Sequence, residues 1–437
     1  MSGGNAWAGA AVAAVTAGYA LFSRRLATTA VSGPMVFAGF GVAIGPLGLG
    51  LIDLEHDAGS VLTLVEAALT LVLLTDAMTV RRSDLRVGGF LPGRLLGIGL
   101  PLTIGTGWLL AWPLLPGLTA WELALLGTIL APTDAALGKT AVSSPSVPPL
   151  VRSGLNVESG LNDGMALPFF VLFLAAVPGT HASQEGVAGV FWRALVLSTA
   201  LGLVVGGLGG WLLSWARARG WVGGVWRQVF ALAVAAGSYT LAVVVDGSGF
   251  IAAWVAGFAL GVALRRAAPA QAPGDSMHAA VLADQLAELL ASLSFLLFGA
   301  VLLGPALEHL DWRIVTYAVL SLTLVRMVPV ALSLAGSGMA LPSVAYIGWF
   351  GPRGLASVVF GLLVVEDRVP GVRLIGRVVA VTVALSILLH GTSAVVLAKR
   401  YGAWHRKAAA ARPRLREGAP EGEGAGPSRP GGSARES

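Results

Sequence analysis

The chain has 437 residues, of which 55% belong to the hydrophobic set and only 12% are charged. Soluble domains carry about 25% charged residues, so this composition indicates an integral membrane protein. The absence of cysteine excludes disulfides, thiolate metal sites and cysteine nucleophiles. The net charge of +6 comes mostly from basic residues in short loops and the tail, which fits membrane orientation better than nucleic-acid binding.

Apolar segments follow one another along most of the chain. A helix needs roughly 20 apolar residues to cross a ~30 Å hydrocarbon core, and segments of that length predict an all-α polytopic protein with about 13 transmembrane helices. We number them span one to span thirteen. Their predicted bounds are 6–22, 34–50, 59–80, 91–115, 120–142, 150–177, 187–215, 226–245, 249–264, 281–303, 312–335, 341–365 and 375–398. The Gly-, Pro-, Arg- and Glu-rich stretch 401–437 predicts a disordered tail.

The loops between the spans carry alternating charge. Arginines follow spans one, three, seven and nine, whereas the opposite loops are acidic or neutral, as in "DLEHD" at 53–57 and "EHLD" at 308–311. By the positive-inside rule the N-terminus is predicted outside a cell (plasma or inner) membrane and the C-terminus in the cytoplasm. The loop 366–377 has three arginines against this pattern.

Ionisable residues inside spans are candidate functional groups, because a charge at the bilayer centre costs ~3 kcal/mol or more. Span five carries Asp134, span six Glu158 and Asp163, span eleven Arg326, and span twelve Arg353. We assign no role to three further acids, which we interpret as helix-packing or interfacial groups: Glu66, Asp76 and Glu288. Two histidines could sense pH, although loop or span-end histidines are commonly solvated: His278 and His390.

Spans five and twelve both contain a proline near mid-depth: Pro132, which Gly138 follows closely, and Pro352, which Gly351 and Gly354 flank. Each proline lacks an amide hydrogen and crowds the preceding turn, so both spans are expected to be unwound there. Paired interrupted helices in corresponding positions of two halves point to the binding site of a transporter. Because the two spans lie seven apart, they run in opposite directions, as in two inverted repeats whose broken helices cross.

Span six contains "NVESGLNDG" at 156–164. Glu158 and Asn162 lie four residues apart on one helix face, and Ser159 and Asp163 form the adjacent row. We interpret the first row as held by protein and the second as facing an ion. Carboxylate, hydroxyl and carbonyl oxygens are the ligands that a small alkali cation prefers, and no sulfur or paired histidine is present for a transition metal.

These motifs resemble those of the monovalent cation:proton antiporter-1 family, the sodium/proton exchangers found from bacteria to animals. "NVESGLNDG" is similar to the sixth-span signature of that family, "APTDAALG" to its fifth-span Thr-Asp element, "LTLVRMVPV" to its eleventh-span arginine segment, and "GPRGLASVVF" to its twelfth-span Arg-Gly element. The motifs cover 130–360, and hydropathy extends the resemblance to about 1–400. In this chain Ala135 stands where the family usually has proline after the aspartate.

The resemblance implies a homodimer in membrane lipid, without a cofactor. It implies a six-helix core from about 91–177 and 312–398, and dimerisation helices from about 1–80 and 187–303. It implies that Asp163 binds cation or proton. The other implied roles are further ligands at Thr133, Asp134 and Ser159, a pair of Glu158 with Arg326, a buttress at Asn162, and stabilisation of the helix crossing by Arg353.

The resulting hypothesis is exchange of Na⁺, or of K⁺ or Li⁺, for H⁺ by alternating access at Asp163. Three acids, Asp134, Glu158 and Asp163, less two arginines, Arg326 and Arg353, leave one negative charge, which predicts electroneutral one-for-one exchange. Three alternatives stay open. Asp134 could be a helix cap without cation contact, Asp134 and Asp163 could serve an intramembrane aspartyl enzyme, or the chain could be a cation channel.

Overall fold

The computed structural model describes residues 3–26, 29–51, 54–80, 90–134, 137, 144–184, 186–267, 275–411 and 415–418. These residues form helices and connecting turns, with no strand among them. Nine of the described helices are long and apolar enough to cross a membrane, and three shorter apolar helices accompany them. The chain is therefore an all-α, multi-pass membrane protein.

Each of the thirteen predicted spans contains helix. The helices are Gly3–Leu26 in span one, Gly33–Ile44 in two, Leu54–Thr79 in three, Phe90–Arg94, Leu95–Gly99 and Leu100–Leu114 in four, Ala120–Ile129 in five, Pro149–Ala176 in six, Val187–Trp192, Arg193–Leu197 and Ser198–Ala218 in seven, Gly224–Val244 in eight, Gly249–Ala267 in nine, Asp275–Phe298, Gly299–Leu303 and Gly304–Leu307 in ten, Trp312–Leu322 and Leu324–Ser333 in eleven, Leu341–Trp349 and Leu355–Glu366 in twelve, and Val372–Ala411 in thirteen. The short helix His181–Gln184 follows span six.

The spans pack in two groups. Spans two, three and seven to ten contact one another, and spans four, five, six, eleven, twelve and thirteen contact one another. The groups meet where spans three, seven and nine pack on span six, where spans three and ten pack on span twelve, and where spans two and ten pack on span thirteen. Close approach inside the first group depends on small residues, since a Cβ at Gly206 or Gly257 would overlap the backbone of the neighbouring helix.

Both predicted helix breaks are present. The helix of span five ends at Ile129, and residues 131–134 continue in non-helical backbone. Span twelve is unwound at residues 350–354, between Trp349 and Leu355. Span eleven has a third interruption, at Thr323, which the sequence did not predict. Residues 135, 136 and 138–143, including the unusual Ala135, lie outside the described residues.

The C-terminal part of the chain differs from the prediction. The helix of span thirteen continues to Ala411, so the predicted disorder from residue 401 is wrong for residues 401–411. The segment 415–418 then packs beside the loop between spans eleven and twelve. The buried Glu417 carboxylate accepts the amide hydrogen of Ala340 (2.7 Å), and the Arg416 guanidinium lies 4.0 Å from the ring centroid of Phe90 and donates to the carbonyl of Ser337.

We expect Glu417→Ala to lower the melting temperature of the purified protein in detergent. The change leaves the Ala340 amide, at the start of the first half of span twelve, without its charged acceptor, at a cost of about 1–3 kcal/mol. Glu308→Ala is the matched control, because Glu308 is an exposed loop acid. Equal melting temperatures for the two variants would contradict a structural role for the docked tail.

Candidate functional site

The two broken helices supply each other's missing hydrogen bonds. The hydroxyl of Ser357 donates to the carbonyl of Ile129 (2.7 Å), at the end of the span five helix. The amide of Asp134 donates to the carbonyl of Pro352 (2.8 Å), and the Asp134 carboxylate accepts the amide hydrogen of Leu355 (3.0 Å). The end groups that helices leave unsatisfied are thus paired across the crossing. Asp134 therefore caps the second half of span twelve, and this contact is compatible both with a cap alone and with a cap that also binds a cation.

Arg353 lies at the centre of this crossing and is fully buried. Its Nη1 is 3.1 Å from the carbonyl oxygen of Ala131, 3.4 Å from that of Pro132 and 3.2 Å from that of Gly351. A cation beside the carbonyl end of a half-helix offsets the negative end of the helix dipole. These contacts agree with the stabilising role that the resemblance implied. The next residue must be glycine, since a Cβ at Gly354 would overlap the Asp134 carboxylate.

Span six holds Thr133 of the unwound segment from two sides. Ser159 Oγ donates to the carbonyl oxygen of Thr133 (2.5 Å), and Asn162 Nδ2 donates to Thr133 Oγ1 (2.5 Å). Ser159 keeps lone pairs that can still coordinate a cation while its hydrogen is donated. Both rows are buried: Glu158 and Asn162 are 2% and 1% exposed, and Ser159 and Asp163 are each 8% exposed.

Glu158 is paired with Arg326 of span eleven. Arg326 Nη1 and Nη2 donate to Glu158 Oε1 and Oε2 at 2.7 and 2.8 Å, and both side chains are buried. Such two-bond pairs are among the strongest hydrogen-bonded contacts in proteins. The pair that the resemblance implied is therefore formed, and it satisfies both oxygens of Glu158.

The carboxylate of Asp163 differs from that of Glu158 in its hydrogen bonds. It is buried, and its Oδ1 has no hydrogen-bond partner among the described residues. One helical turn away, Gly160 packs on Asp76 of span three, with 3.5 Å between the position of a Cβ at Gly160 and Asp76 Cγ. Asp163 lies within electrostatic range of Asp134 and of Asp76. Sequence reasoning missed this proximity, because nothing in span three indicates which helix its acid faces.

Other sequence interpretations can now be compared with the structure. Glu66 is hydrogen-bonded to Tyr239 of span eight, and Glu288 is exposed, so both fit packing or interfacial roles. The reading of His390 as a solvated histidine is wrong, because its side chain is 1% exposed and hydrogen-bonded inside the core. The side chain of His278 lies outside the described residues.

The sequence matches the family model described as sodium/hydrogen exchanger, transmembrane, over residues 11–400. The chain belongs to the sodium/hydrogen exchanger family. This family consists of transporters, so the match weighs against the intramembrane aspartyl enzyme. The exchanger fold is also shown by similarity to the sodium proton antiporter MjNhaP1 from Methanocaldococcus jannaschii, with a TM-score of 0.74, 21% identity, and coverage of 91% of this chain and 98% of that chain.

Curated relatives of this exchanger-family chain are longer proteins. The K(+)/H(+) antiporter NhaP of Alkalimonas amylolytica is 27% identical over 368 residues, which are 82% of this chain and 60% of that protein. The K(+)/H(+) antiporter NhaP2 of Shewanella sp. (strain MR-4) is 30% identical over 240 residues, which are 55% of this chain and 38% of that protein. The chain thus spans less than two thirds of the length of these relatives.

We expect Arg326→Met to destabilise the exchanger strongly. The substitution leaves the Glu158 carboxylate buried without its partner, and breaking a buried ion pair from one side costs about 3–5 kcal/mol. The double variant Glu158→Leu with Arg326→Met removes both charges and should recover much of the loss. The measurement is the melting temperature and the yield of folded protein in detergent. A double variant no more stable than Arg326→Met alone would show that the pair is not the cause.

Proposed function

We propose that the chain exchanges a monovalent cation for protons across the membrane at Asp163. The observation that carries this proposal is a buried carboxylate with an unpaired oxygen, beside the crossing of two unwound helices. A charged carboxylate removed from water is costly unless it is neutralised. A proton and a cation can each neutralise it, and competition between them for one group produces exchange.

The proposed cation ligands are oxygen atoms from two spans. Asp163 supplies its carboxylate, Ser159 its hydroxyl and Thr133 its carbonyl, while the capping carboxylate of Asp134 contributes from the edge of the site. Hard oxygen ligands suit alkali cations. We propose Na⁺ as the cargo, in line with the family to which the chain belongs, with K⁺ or Li⁺ as alternatives. Of the three similar proteins described above, two are named for potassium and one for sodium, so K⁺ belongs in every assay.

The proposed cycle moves one group of spans against the other. The core, from about 91–177 and 312–398, contains both broken helices and the paired charges, and it contacts the remaining spans mainly through spans six, twelve and thirteen. We assign the second group, from about 1–80 and 187–303, to the contact between two copies of the chain in a homodimer. The proposed orientation has the N-terminus outside the cell membrane and the C-terminus in the cytoplasm, by the loop charges.

The proposed stoichiometry is one cation for one proton. Three acids (Asp134, Glu158, Asp163) and two arginines (Arg326, Arg353) leave one negative charge, which either substrate neutralises. Asp76 adds a further acid near this set. The charge moved per cycle stays the same as long as Asp76 has one protonation state in both the cation-bound and the proton-bound half of the cycle.

The test of the site uses everted membrane vesicles and a pH-sensitive dye, with Na⁺, K⁺ and Li⁺ added in turn. Wild type should show cation-driven proton movement, and Asp163→Asn should reduce it to background, because the amide cannot exchange a proton for a cation. Asp246→Asn is the matched control: Asp246 is exposed, and its φ of 54° is one that asparagine also adopts. Unchanged activity of Asp163→Asn would overturn the proposal, as would cation flux without proton coupling, which is the behaviour of a channel.

The stoichiometry is tested by recording current from proteoliposomes during cation-driven pH change. One-for-one exchange moves no net charge, so we expect no current even when the pH change is large. A current that rises in proportion to the transport rate and vanishes in Asp163→Asn would show that more than one proton or cation moves per cycle.

A further inference from the structure

His390 of span thirteen reaches across to the break in span twelve. Its Nε2 lies 2.9 Å from the carbonyl oxygen of Trp349, the last residue of the first half-helix. Its Nδ1 lies 3.2 Å from Ser386 Oγ and 3.0 Å from the carbonyl oxygen of Ser386, one turn earlier on span thirteen. Ser386 Oγ in turn accepts the amide hydrogen of Arg353 (2.7 Å).

These contacts indicate which nitrogen of His390 carries the hydrogen. The carbonyl oxygens of Trp349 and Ser386 can only accept, so a neutral ring can donate to one of them and not to both. With hydrogen on Nε2 the ring donates to Trp349, and Nδ1 accepts from the Ser386 hydroxyl (3.2 Å). We assign this tautomer because it joins Trp349 and Arg353 through one series of hydrogen bonds. The series of hydrogen bonds then runs from the Arg353 amide to Ser386 Oγ, from the Ser386 hydroxyl to Nδ1 of His390, and from Nε2 of His390 to the carbonyl of Trp349. In this tautomer the Ser386 carbonyl, 3.0 Å from Nδ1, receives no hydrogen from the ring.

The chain of hydrogen bonds attaches both ends of the break to one helix. Trp349 precedes the unwound residues 350–354, and Arg353 lies near their end, so a single turn of span thirteen fixes the distance between them. Arg353 then contacts the carbonyls of Ala131 and Pro132, next to Thr133. A shift of the Arg353 backbone would therefore pass to the segment that supplies a proposed cation ligand.

We propose that His390 and Ser386 are positioning residues, which together form a clip on span thirteen. The clip holds the break of span twelve, places Arg353 against the unwound segment of span five, and so sets the affinity of the site for its cation. This inference rests on the proposed exchange at Asp163. It assigns His390 no part in carrying the transported proton.

The first test measures the apparent KM for Na⁺ in the vesicle assay. His390→Gln retains a donor and an acceptor and should stay within about twofold of wild type. His390→Phe and Ser386→Ala should each raise KM about tenfold, which corresponds to ~1.4 kcal/mol and to the loss of a hydrogen bond. Thr392→Val is the control, because Thr392 is exposed two residues away and its hydroxyl donates within its own helix.

The double variant His390→Phe with Ser386→Ala separates a clip from general destabilisation. Two residues in one hydrogen-bond chain should be non-additive, so the double variant should resemble either single variant. Additive increases in KM, or a loss of maximal rate at unchanged KM, would overturn the clip. The charged groups whose fields reach His390 are Arg353 and Arg326. His390→Gln should keep the wild-type pH profile of exchange, and a flattened profile would identify His390 as a pH sensor instead.

A second measurement does not depend on exchange. Nitrogen NMR of the full chain in lipid, labelled at histidine, gives the protonation of each ring, and subtraction of the His390→Gln spectrum isolates His390. We expect a neutral ring with hydrogen on Nε2 across the physiological pH range. A ring with hydrogen on Nδ1, or a charged ring, would overturn the clip even if exchange proves to be absent. If wild type shows no exchange and the ring is as expected, the proposed function fails and the hydrogen-bond chain stands.

Discussion

The site depends on one constraint, which is that unwound backbone inside a membrane must find hydrogen-bond partners within the protein. Here each broken helix supplies part of the partners of the other, and spans six and thirteen supply more. Ser357 satisfies the carbonyl of Ile129, and Asp134 satisfies both the carbonyl of Pro352 and the amide of Leu355. Neither break can therefore be stable alone. Spans five and twelve must form together and move together, and a ligand on one is fixed relative to the other.

The same constraint explains which buried charges have hydrogen-bond partners inside the protein. Arg353 donates hydrogen bonds to carbonyl oxygens, and Arg326 donates two to Glu158. These three charged groups therefore have partners within the protein. Asp163 Oδ1 has none among the described residues. An unpaired buried carboxylate is unfavourable in any fixed structure. In the proposed exchange it would become an advantage, because the cost of the empty, charged state would discourage movement of the core without cation or proton.

The sequence predicted the parts of this arrangement that have a local cause. Pro132 and Pro352, each with glycine close by, marked the two breaks, although proline alone does not suffice, since Pro168 lies inside the helix Pro149–Ala176. The spacing of Glu158, Ser159, Asn162 and Asp163 sets their faces. What it could not predict was contacts across the chain. Ser357 is 228 residues from its acceptor, and a hydroxyl in a helix usually bonds its own preceding turn, as Thr382 does with Val378. The contacts of Ser386, His390 and Asp76 could not be predicted for the same reason. The docking of segment 415–418 could not be predicted either, because the segment has no apolar periodicity.

Asp76 differs from the other acids near the site because it lies in the other group of spans. Glu158, Asp134 and Asp163 all lie on the proposed core, so their mutual distances stay fixed when the core moves. Asp76 lies on span three, across the contact at Gly160. A Cβ at Gly160 would lie 3.3 Å from Asp76 Cβ, a tight contact, so the glycine favours the close approach of spans three and six. In the proposed cycle, a shift of the core against span three would change the repulsion between Asp76 and Asp163, while Glu158 and Arg326 stay paired. Under that proposal Asp76 is an acid through which movement of the core would alter the electrostatic demand of Asp163 for a cation or a proton.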